Sequence, residues 1–95
     1  MAGFWIVQGS AVKDQEAFDE YARLWDPIGE RYGATFIAAG GRHETREGGD
    51  CARVVLIEFP SYEKAVACYD DPEYQAALLY ARKAYDRHLV IVEGS

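Results

Sequence analysis

Two helix-start signals follow an apolar, strand-like run in the second half of the chain. The run is Val54–Phe59, and Ser61 just behind it is a residue type that caps helix N-termini. Asp71 and Pro72 form the second signal, since aspartate caps a helix and proline is tolerated at its first position, where no N–H is needed. The pattern therefore predicts a strand followed by two consecutive helices, Ser61–Tyr69 and Pro72–Asp86.

The first half of the chain predicts one long amphipathic helix. Asp14 is a candidate N-cap, and the helix is expected to run to about Tyr32, where Gly33 provides a left-handed end. Apolar residues recur every three or four positions, which predicts one buried stripe. Pro27 lies inside this pattern and is expected to kink or split the helix.

Four short apolar segments predict strands and fix the fold class. They are Phe4–Gly9, Thr35–Ala39, Arg53–Phe59 and His88–Glu93, and the glycine-rich stretch between Gly40 and Asp50 is interpreted as a strand extension and a hairpin loop. The order is β-α-β-β-α-β over a single domain, residues 1–95. This predicts an α+β, ferredoxin-like fold with a four-stranded antiparallel sheet and helices on one face.

Three of these strands are apolar on both alternating faces, although the helices can cover only one face of the sheet. An exposed face of this kind is too apolar for a soluble monomer. The sequence therefore predicts a homodimer in which two sheets pack face to face, forming a dimeric α/β barrel. A hydrophobic ligand or a membrane contact on this face is the alternative.

Charge and cysteine content limit the partners and the location. The 95-residue chain has a net charge of −6 and an isoelectric point near 4.8. This balance argues against nucleic acid and against an anionic membrane surface as partners. No apolar run approaches transmembrane length, and no targeting segment is evident at the N-terminus. The two cysteines form no pattern, which is typical of reduced thiols in the cytoplasm.

The chain resembles the family known as domain of unknown function 1330, which belongs to the dimeric α/β-barrel superfamily. The resemblance spans essentially the whole chain and implies a fold and a dimer, but no activity. The family usually has an arginine just before the glycine pair, where this chain has Ala39, and here Arg42 follows the pair instead. The residues that carry the resemblance are Trp5-Ile6-Val7, Tyr32-Gly33, Gly40-Gly41, Ile57-Glu58-Phe59-Pro60-Ser61, Tyr69, Pro72-Glu73-Tyr74-Gln75, Arg82 and Leu89-Val90-Ile91-Val92-Glu93-Gly94.

Glu58 and His43 are the candidate catalytic residues. Glu58 lies in an otherwise apolar strand, where a carboxylate needs a partner, a place at the rim, or a raised pKa that suits general acid–base chemistry. His43 titrates near neutral pH and follows the Gly40-Gly41 pair, beside Arg42, which is able to hold a carboxylate. The alternative interpretations are a rim glutamate paired with an arginine and a solvated hairpin stem.

Further candidate ligand-binding residues lie at the two ends of the chain. Aromatic side chains are expected in the core or a dimer interface, and some of them can line a flat pocket. The histidines are far apart and lack further ligands at metal-binding spacing, so no metal site and no cofactor are predicted. The candidates are Arg82, Trp5, Tyr85 and His88.

Two hypotheses about function remain open from the sequence. The first is a dimeric protein that binds a small, partly apolar organic acid in a helix–sheet cleft, or acts on it without a cofactor. In this hypothesis Arg42 or Arg82 anchors the acid and Glu58 or His43 moves a proton. The second is a non-catalytic dimer whose role is interaction or structure.

Overall fold

The computed structural model describes all residues, 1–95, and confirms the predicted order of elements. The chain forms a four-stranded antiparallel sheet in the order β2-β3-β1-β4, with three helices on one face. The elements are β1 Gly3–Gly9, α1 Gln15–Arg31, β2 Thr35–Ala39, β3 Arg53–Phe59, α2 Tyr62–Asp70, α3 Pro72–Ala84 and β4 Arg87–Glu93. None of the helices is long and apolar enough to span a membrane.

The predicted caps are present at all three helix starts. The Asp14 side chain accepts a hydrogen bond from the Ala17 N–H, and the Ser61 hydroxyl accepts one from the Lys64 N–H. Asp71 accepts from the Glu73 N–H at 2.7 Å, with Pro72 at the first helical position. The break between α2 and α3 therefore lies where the Asp71-Pro72 signal predicts it.

Three local predictions need correction. Pro27 does not split α1, which runs as one helix of 17 residues, and the alternative, a kink at Pro27, stays a prediction. Pro27 lies on the exposed face, where water can satisfy the carbonyl group that has no N–H donor. Residues 40–52 form a loop without the expected strand extension, and α3 ends at Ala84, two residues before the predicted end at Asp86.

The core lies between the helices and one face of the sheet, with Trp5 at its centre. The Trp5 ring lies 5.1–5.8 Å from four other aromatic rings, measured between centroids. Its indole Nε1 donates to the carbonyl oxygen of Ala65 in α2 at 2.9 Å, so the only polar atom of this buried side chain has a partner. The four rings belong to Trp25, Phe59, Tyr69 and Tyr74.

The opposite face of the sheet, called here the open face, carries no helix. Strand alternation places Phe4, Ile6, Leu56, Val90 and Val92 on it, together with other small apolar side chains. Val90 and Val92 are 45% and 42% exposed. The prediction that the strands are apolar on both faces is confirmed.

Candidate functional site

A cavity of about 270 Å³ lies between α1 and the helix-covered face of the sheet. Its floor consists of β-branched side chains of the central strands, and α1 contributes aromatic rings from above. The edge strand β2 closes one side through Phe36, which is 51% exposed. Because Phe36 is only half-buried, this side is not fully closed, and the cavity meets solvent between α1 and β2. The apolar residues that shape it are Val7, Val55, Ile57, Phe18, Trp25 and Phe36.

Two arginines face this cavity from neighbouring positions of the sheet. Arg53 of β3 and Arg87 of β4 both pair with Gly9 of β1, one on each side, and both point to the helix-covered face. Their Cα atoms are therefore two strand spacings, about 10 Å, apart. Gly9 has no side chain, and the Tyr85 ring lies over it. The result is a cationic row across three strands at one end of the cavity.

Arg53 lacks an anionic partner. Its guanidinium group lies over the Phe18 ring, 5.3 Å from the centroid, and beside the backbone of Gly40. Its Nε atom is buried and has no hydrogen-bond partner. A buried donor of this kind is costly unless an acceptor is present.

Arg87 lies in a hydrogen-bonded group with two tyrosines. It donates to the hydroxyl oxygens of Tyr74 at 2.5 Å and of Tyr21 at 3.3 Å, and the two hydroxyl oxygens are 2.9 Å apart. Its guanidinium group also lies over the Tyr21 ring, 5.2 Å from the centroid. No carboxylate pairs with Arg87, since every ion pair of the protein involves other residues.

The other end of the cavity is apolar. Trp25 and Phe36 meet edge to face there, with ring centroids 6.2 Å apart, above Ile57. Because Ile57 is four residues along β3 from Arg53, the Cα atoms of these two residues are about 13 Å apart. Asp26 is the only carboxylate on the wall, and it is exposed. The cavity therefore has the polarity of a site for a small amphipathic anion.

The structure brings only one of the sequence-predicted site residues into this cavity. Tyr85 lines it, whereas Trp5 is 1% exposed in the core. Arg82 lies with His88 and Tyr85 in a shallower polar groove at the α3–β4 junction, next to the cavity. The predicted residues therefore do not form one cluster.

The candidate catalytic residues Glu58 and His43, and the candidate ligand-binding residues Arg42 and His88, have side chains on other surfaces. Glu58 and His88 face the open side of the sheet at opposite ends, since Glu58 pairs with Phe4 and His88 with Gln8. His43 lies in the exposed loop after β2, where its ring nitrogens contact the carbonyl oxygens of Gly41 and Cys51. Arg42 is exposed in the same loop. Their catalytic and binding roles remain predictions.

Sequence reasoning missed Arg53, Arg87 and Tyr21 as site residues, although the strand pattern carries a signal for the two arginines. In β3, Arg53 has the same parity as the buried Val55, Ile57 and Phe59, and in β4 Arg87 has the parity of Leu89 and Ile91. A charged residue with the parity of the buried face must enter the core or a cavity. This shared parity is the sequence feature that marks Arg53 and Arg87 as candidate site residues.

The structure shows no cluster of metal-binding side chains. No group of three or more His, Cys, Asp and Glu side chains is arranged to hold a metal ion. Cys68 is fully buried in α2, and burial raises the pKa of its thiol to about 12. It packs as a small apolar side chain and is a poor nucleophile at neutral pH.

Comparisons with known proteins extend these observations. A family model described as "Domain of unknown function (DUF1330)" matches residues 2–95. Among curated proteins, none matches.

Solved structures with the same fold cover nearly the whole chain. A protein of unknown function from Rhodopseudomonas palustris is 20% identical with a TM-score of 0.76, over 99% of this chain and 83% of that one. SnoaB, a cofactor-independent oxygenase from Streptomyces nogalater, is 11% identical with a TM-score of 0.68, over 98% and 92% of the two chains. A dimeric ferredoxin-like protein of unknown function from Thermobifida fusca is 15% identical with a TM-score of 0.62, over 99% and 92%. At these identities the likeness shows the ferredoxin-like fold alone.

Proposed function

Because the chain belongs to the DUF1330 family, whose description states no activity, we propose a function from its cavity: the protein binds a small, partly apolar carboxylic acid between α1 and the sheet. The carboxylate lies against Arg53 and Arg87, and the apolar body lies against Trp25 and Phe36. The observation that carries this proposal is that Arg53 and Arg87 both line the cavity and neither pairs with a protein carboxylate. A bound anion accepts hydrogen bonds from these guanidinium groups, and a hydrogen bond to a charged group contributes about 1.5–3 kcal/mol.

The chemistry of the two arginines supports a carboxylate. A guanidinium group presents several N–H donors in a planar fork that matches the two carboxylate oxygens. Both guanidinium groups lack a protein carboxylate, so the cationic end carries uncompensated charge. The volume of about 270 Å³ is at the low end for ligand pockets, which favours an acid with a single ring.

The test is binding of phenylacetate, measured by calorimetry and by the shift in Tm, to the wild type and to Arg53→Met. The methionine keeps an unbranched stem over Phe18 but removes the charge and the unpartnered Nε. We expect affinity to fall at least about tenfold, since a hydrogen bond to a charged group contributes about 1.5–3 kcal/mol. We also expect the Tm of the unliganded protein to stay equal or rise, because an unsatisfied buried donor has been removed.

Further variants separate this cavity from the binding residues that the sequence predicts. Arg42→Ala and Arg82→Ala should bind phenylacetate as the wild type does, because neither side chain lines the cavity. Arg46→Ala is the neutral control, since Arg46 is 84% exposed and pairs only with Glu44. If Arg53→Met retains full affinity while Arg42→Ala or Arg82→Ala loses it, the acid binds elsewhere and the proposal is wrong.

The groups around the cavity favour binding over proton transfer. Burial raises the pKa values of Tyr21 and Tyr74, so both phenols keep their protons at neutral pH and act as donors. Glu58 and His43, the predicted proton carriers, lie outside this cavity. A catalytic role for Glu58 or His43 would require a second binding site for the acid outside this cavity. Wild-type affinity for phenylacetate in Glu58→Gln and His43→Gln would support the site at Arg53 and Arg87.

We further propose that the protein works as a homodimer through its open face. The support is the row of half-exposed aliphatic side chains on this face and the description of a solved protein with the same fold as dimeric. Burying this face in a second copy removes the apolar area from water. Sedimentation velocity at micromolar concentration tests the proposal, and a monomer at every concentration would favour another occupant of the face.

The cytoplasm is the proposed location, since Cys51 and Cys68 are both free thiols. Alkylation of both cysteines in freshly lysed cells, after denaturation but without prior reduction, is the expected result. Oxidised cysteines would argue against this location.

A further inference from the structure

The hydroxyl groups of Tyr21 and Tyr74 share one hydrogen bond, so one of their two protons has no acceptor in the protein. Tyr21 lines the cationic end of the cavity, and its oxygen lies 2.9 Å from the hydroxyl oxygen of Tyr74. Arg87 donates to both oxygens. A phenol has one proton to donate, so the direction of each proton follows from counting the acceptors around it.

Tyr74 has one possible acceptor. Its side chain is fully buried, and its hydroxyl group contacts only Tyr21 and Arg87. Because a guanidinium group is a donor and never an acceptor, the Tyr74 proton must go to the Tyr21 oxygen. The Tyr21 oxygen therefore accepts from Tyr74 and from Arg87, and its own proton has no partner among these groups. The Tyr21 proton is therefore free to bind an acceptor in the cavity.

Two donors on one phenol oxygen also strengthen the third hydrogen bond. Hydrogen bonds in a chain polarise one another, so an oxygen that accepts from Tyr74 and Arg87 makes its own O–H a better donor. Burial raises the pKa of Tyr21, which keeps the proton in place at neutral pH. Tyr21 is thus a fixed donor beside the two arginines.

We propose that Tyr21 donates to a second oxygen of the bound acid, and that the cavity selects acids with a carbonyl group next to the carboxylate, the 2-oxo acids. This inference rests on the proposed function. Arg53 and Arg87 satisfy the carboxylate oxygens, so the Tyr21 proton needs another acceptor near them. A 2-oxo oxygen is adjacent to the carboxylate and is an acceptor only.

The cationic end of the cavity disfavours a ligand that carries a hydrogen-bond donor on the carbon next to its carboxylate. Arg53, Arg87 and Tyr21 all present donors, and the only carboxylate on the wall, Asp26, is exposed and lies more than one helical turn beyond Tyr21. The ammonium group of a 2-amino acid would face two guanidinium groups without an acceptor. Amino acids are therefore excluded by charge, even when their shape fits.

Three ligands of nearly equal size test this selectivity by calorimetry at pH 7. Phenylglyoxylate carries the 2-oxo group, phenylacetate has a methylene group in its place, and L-phenylglycine has an amino group. We expect phenylglyoxylate to bind about fivefold tighter than phenylacetate, the ratio that one hydrogen bond of ordinary strength provides. L-Phenylglycine should bind at least about tenfold more weakly than phenylacetate.

Tyr21→Phe removes the donor and keeps the ring. We expect the ratio between phenylglyoxylate and phenylacetate to fall to about one, because the lost contact to Arg87 acts on the carboxylate that both acids share. Tyr74→Phe, which removes the group that directs the Tyr21 proton, should lower the ratio without abolishing it. Leu79→Ala, on the exposed side of α3, is the control and should keep the wild-type ratio.

The outcomes separate this inference from the proposed function. If the wild type binds both acids equally, or if Tyr21→Phe keeps the full preference, the role of Tyr21 is overturned and the acid site stands. If the wild type binds none of the three ligands, the proposed function fails and this inference fails with it. Equal or tighter binding of L-phenylglycine overturns the argument from charge.

Discussion

Gly40 occupies a position where a side chain would disturb Arg53. Its φ is +75°, in the left-handed region, and a Cβ atom there would collide with the Arg53 guanidinium group. Gly40→Ala should therefore lower the Tm, because the left-handed backbone costs about 1 kcal/mol for alanine, and should also weaken phenylacetate binding by displacing Arg53. Thermal unfolding and calorimetry measure the two effects.

Gly41→Ala is the matched control for this prediction. A Cβ atom at Gly41 meets nothing within 4 Å, and its φ is not positive. The Tm and the affinity of this variant should stay close to those of the wild type. If Gly40→Ala binds phenylacetate with wild-type affinity, the close approach of Gly40 to the Arg53 guanidinium group does not position Arg53 for binding.

His43 gives the loop after β2 a pH dependence. Its Nε2 lies 3.0 Å from the Cys51 carbonyl oxygen and its Nδ1 lies 3.2 Å from that of Gly41. Only the protonated ring donates to both, so these hydrogen bonds, led by the one to Cys51 and assisted by the charge of Asp50, raise the His43 pKa. A raised folded-state pKa means that this stabilisation is complete below about pH 6.5 and is lost as the pH rises through the folded-state value.

An NMR titration of the His43 ring measures this shift directly. The midpoint should lie above that of the same histidine in a short peptide of the loop sequence. A midpoint equal to or below that of the peptide would contradict the two hydrogen bonds. The position of His43 in a polar loop was evident from the sequence, but its two carbonyl partners depend on how the loop closes.

The site residues show what strand parity can and cannot predict. Parity along β3 and β4 is sufficient to place Arg53 and Arg87 on the buried face. It cannot predict that both pair with Gly9, since that depends on the register of three strands. The family resemblance directs attention to Ala39, because the family usually has an arginine at this position. Ala39 lines the same cavity, but here the guanidinium group beside Gly40 belongs to Arg53 on the neighbouring strand.

At the scale of elements, one carboxylate joins the end of α1 to the start of α3. Asp71 caps α3, accepts a hydrogen bond from the Tyr32 hydroxyl at 2.6 Å, and pairs with Arg31 at 3.3 Å. The hydrogen bond from Tyr32 is the largest cause of the lowered pKa of Asp71. Its contribution to stability is therefore present above the ordinary aspartate pKa and is lost as the pH falls through the lower folded-state value.

Asp71→Ala should lower the Tm more than Ser61→Ala does. Ser61 makes one capping contact, to the Lys64 N–H at 3.1 Å, whereas Asp71 also holds the two helices together. A cap of the serine type contributes about 1 kcal/mol. Thermal unfolding at pH 7 compares the two, and the difference should shrink near pH 3. Equal losses at pH 7 would mean that Tyr32 and Arg31 add nothing to the cap.

The elements themselves were largely predictable, because caps and strand patterns are local signals. The bounds of β2 and β3 agree with the prediction, and the starts of all three helices follow from Asp14, Ser61 and Asp71. The continuity of α1 through Pro27 was not predictable with certainty. It depends on that turn facing water, which follows from how the helix packs on α3 and the sheet.

At the scale of the whole molecule, the two faces of the sheet have different roles. The helix-covered face holds the core and the cavity, and the open face holds aliphatic side chains without a cover. The sequence predicted the second property from three strands that are apolar on both alternating faces. The cavity was not predictable in this way, because its lining combines side chains of α1, three strands and Tyr85 that only the tertiary structure brings together.

The proposed dimer gives the final prediction, which uses the same substitution on two surfaces. Leu56→Asp places a carboxylate on a central strand of the open face, and Leu79→Asp places one on α3, where Leu79 is 64% exposed. Burying a carboxylate without a partner costs several kcal/mol, and a symmetric dimer would bury two, so Leu56→Asp should raise the dimer dissociation constant by about 100-fold or more. Leu79→Asp should leave it unchanged. Sedimentation velocity measures both dissociation constants, and circular dichroism verifies that the variants fold. If Leu56→Asp stays dimeric, or if Leu79→Asp becomes monomeric, the dimer interface does not lie on the open face.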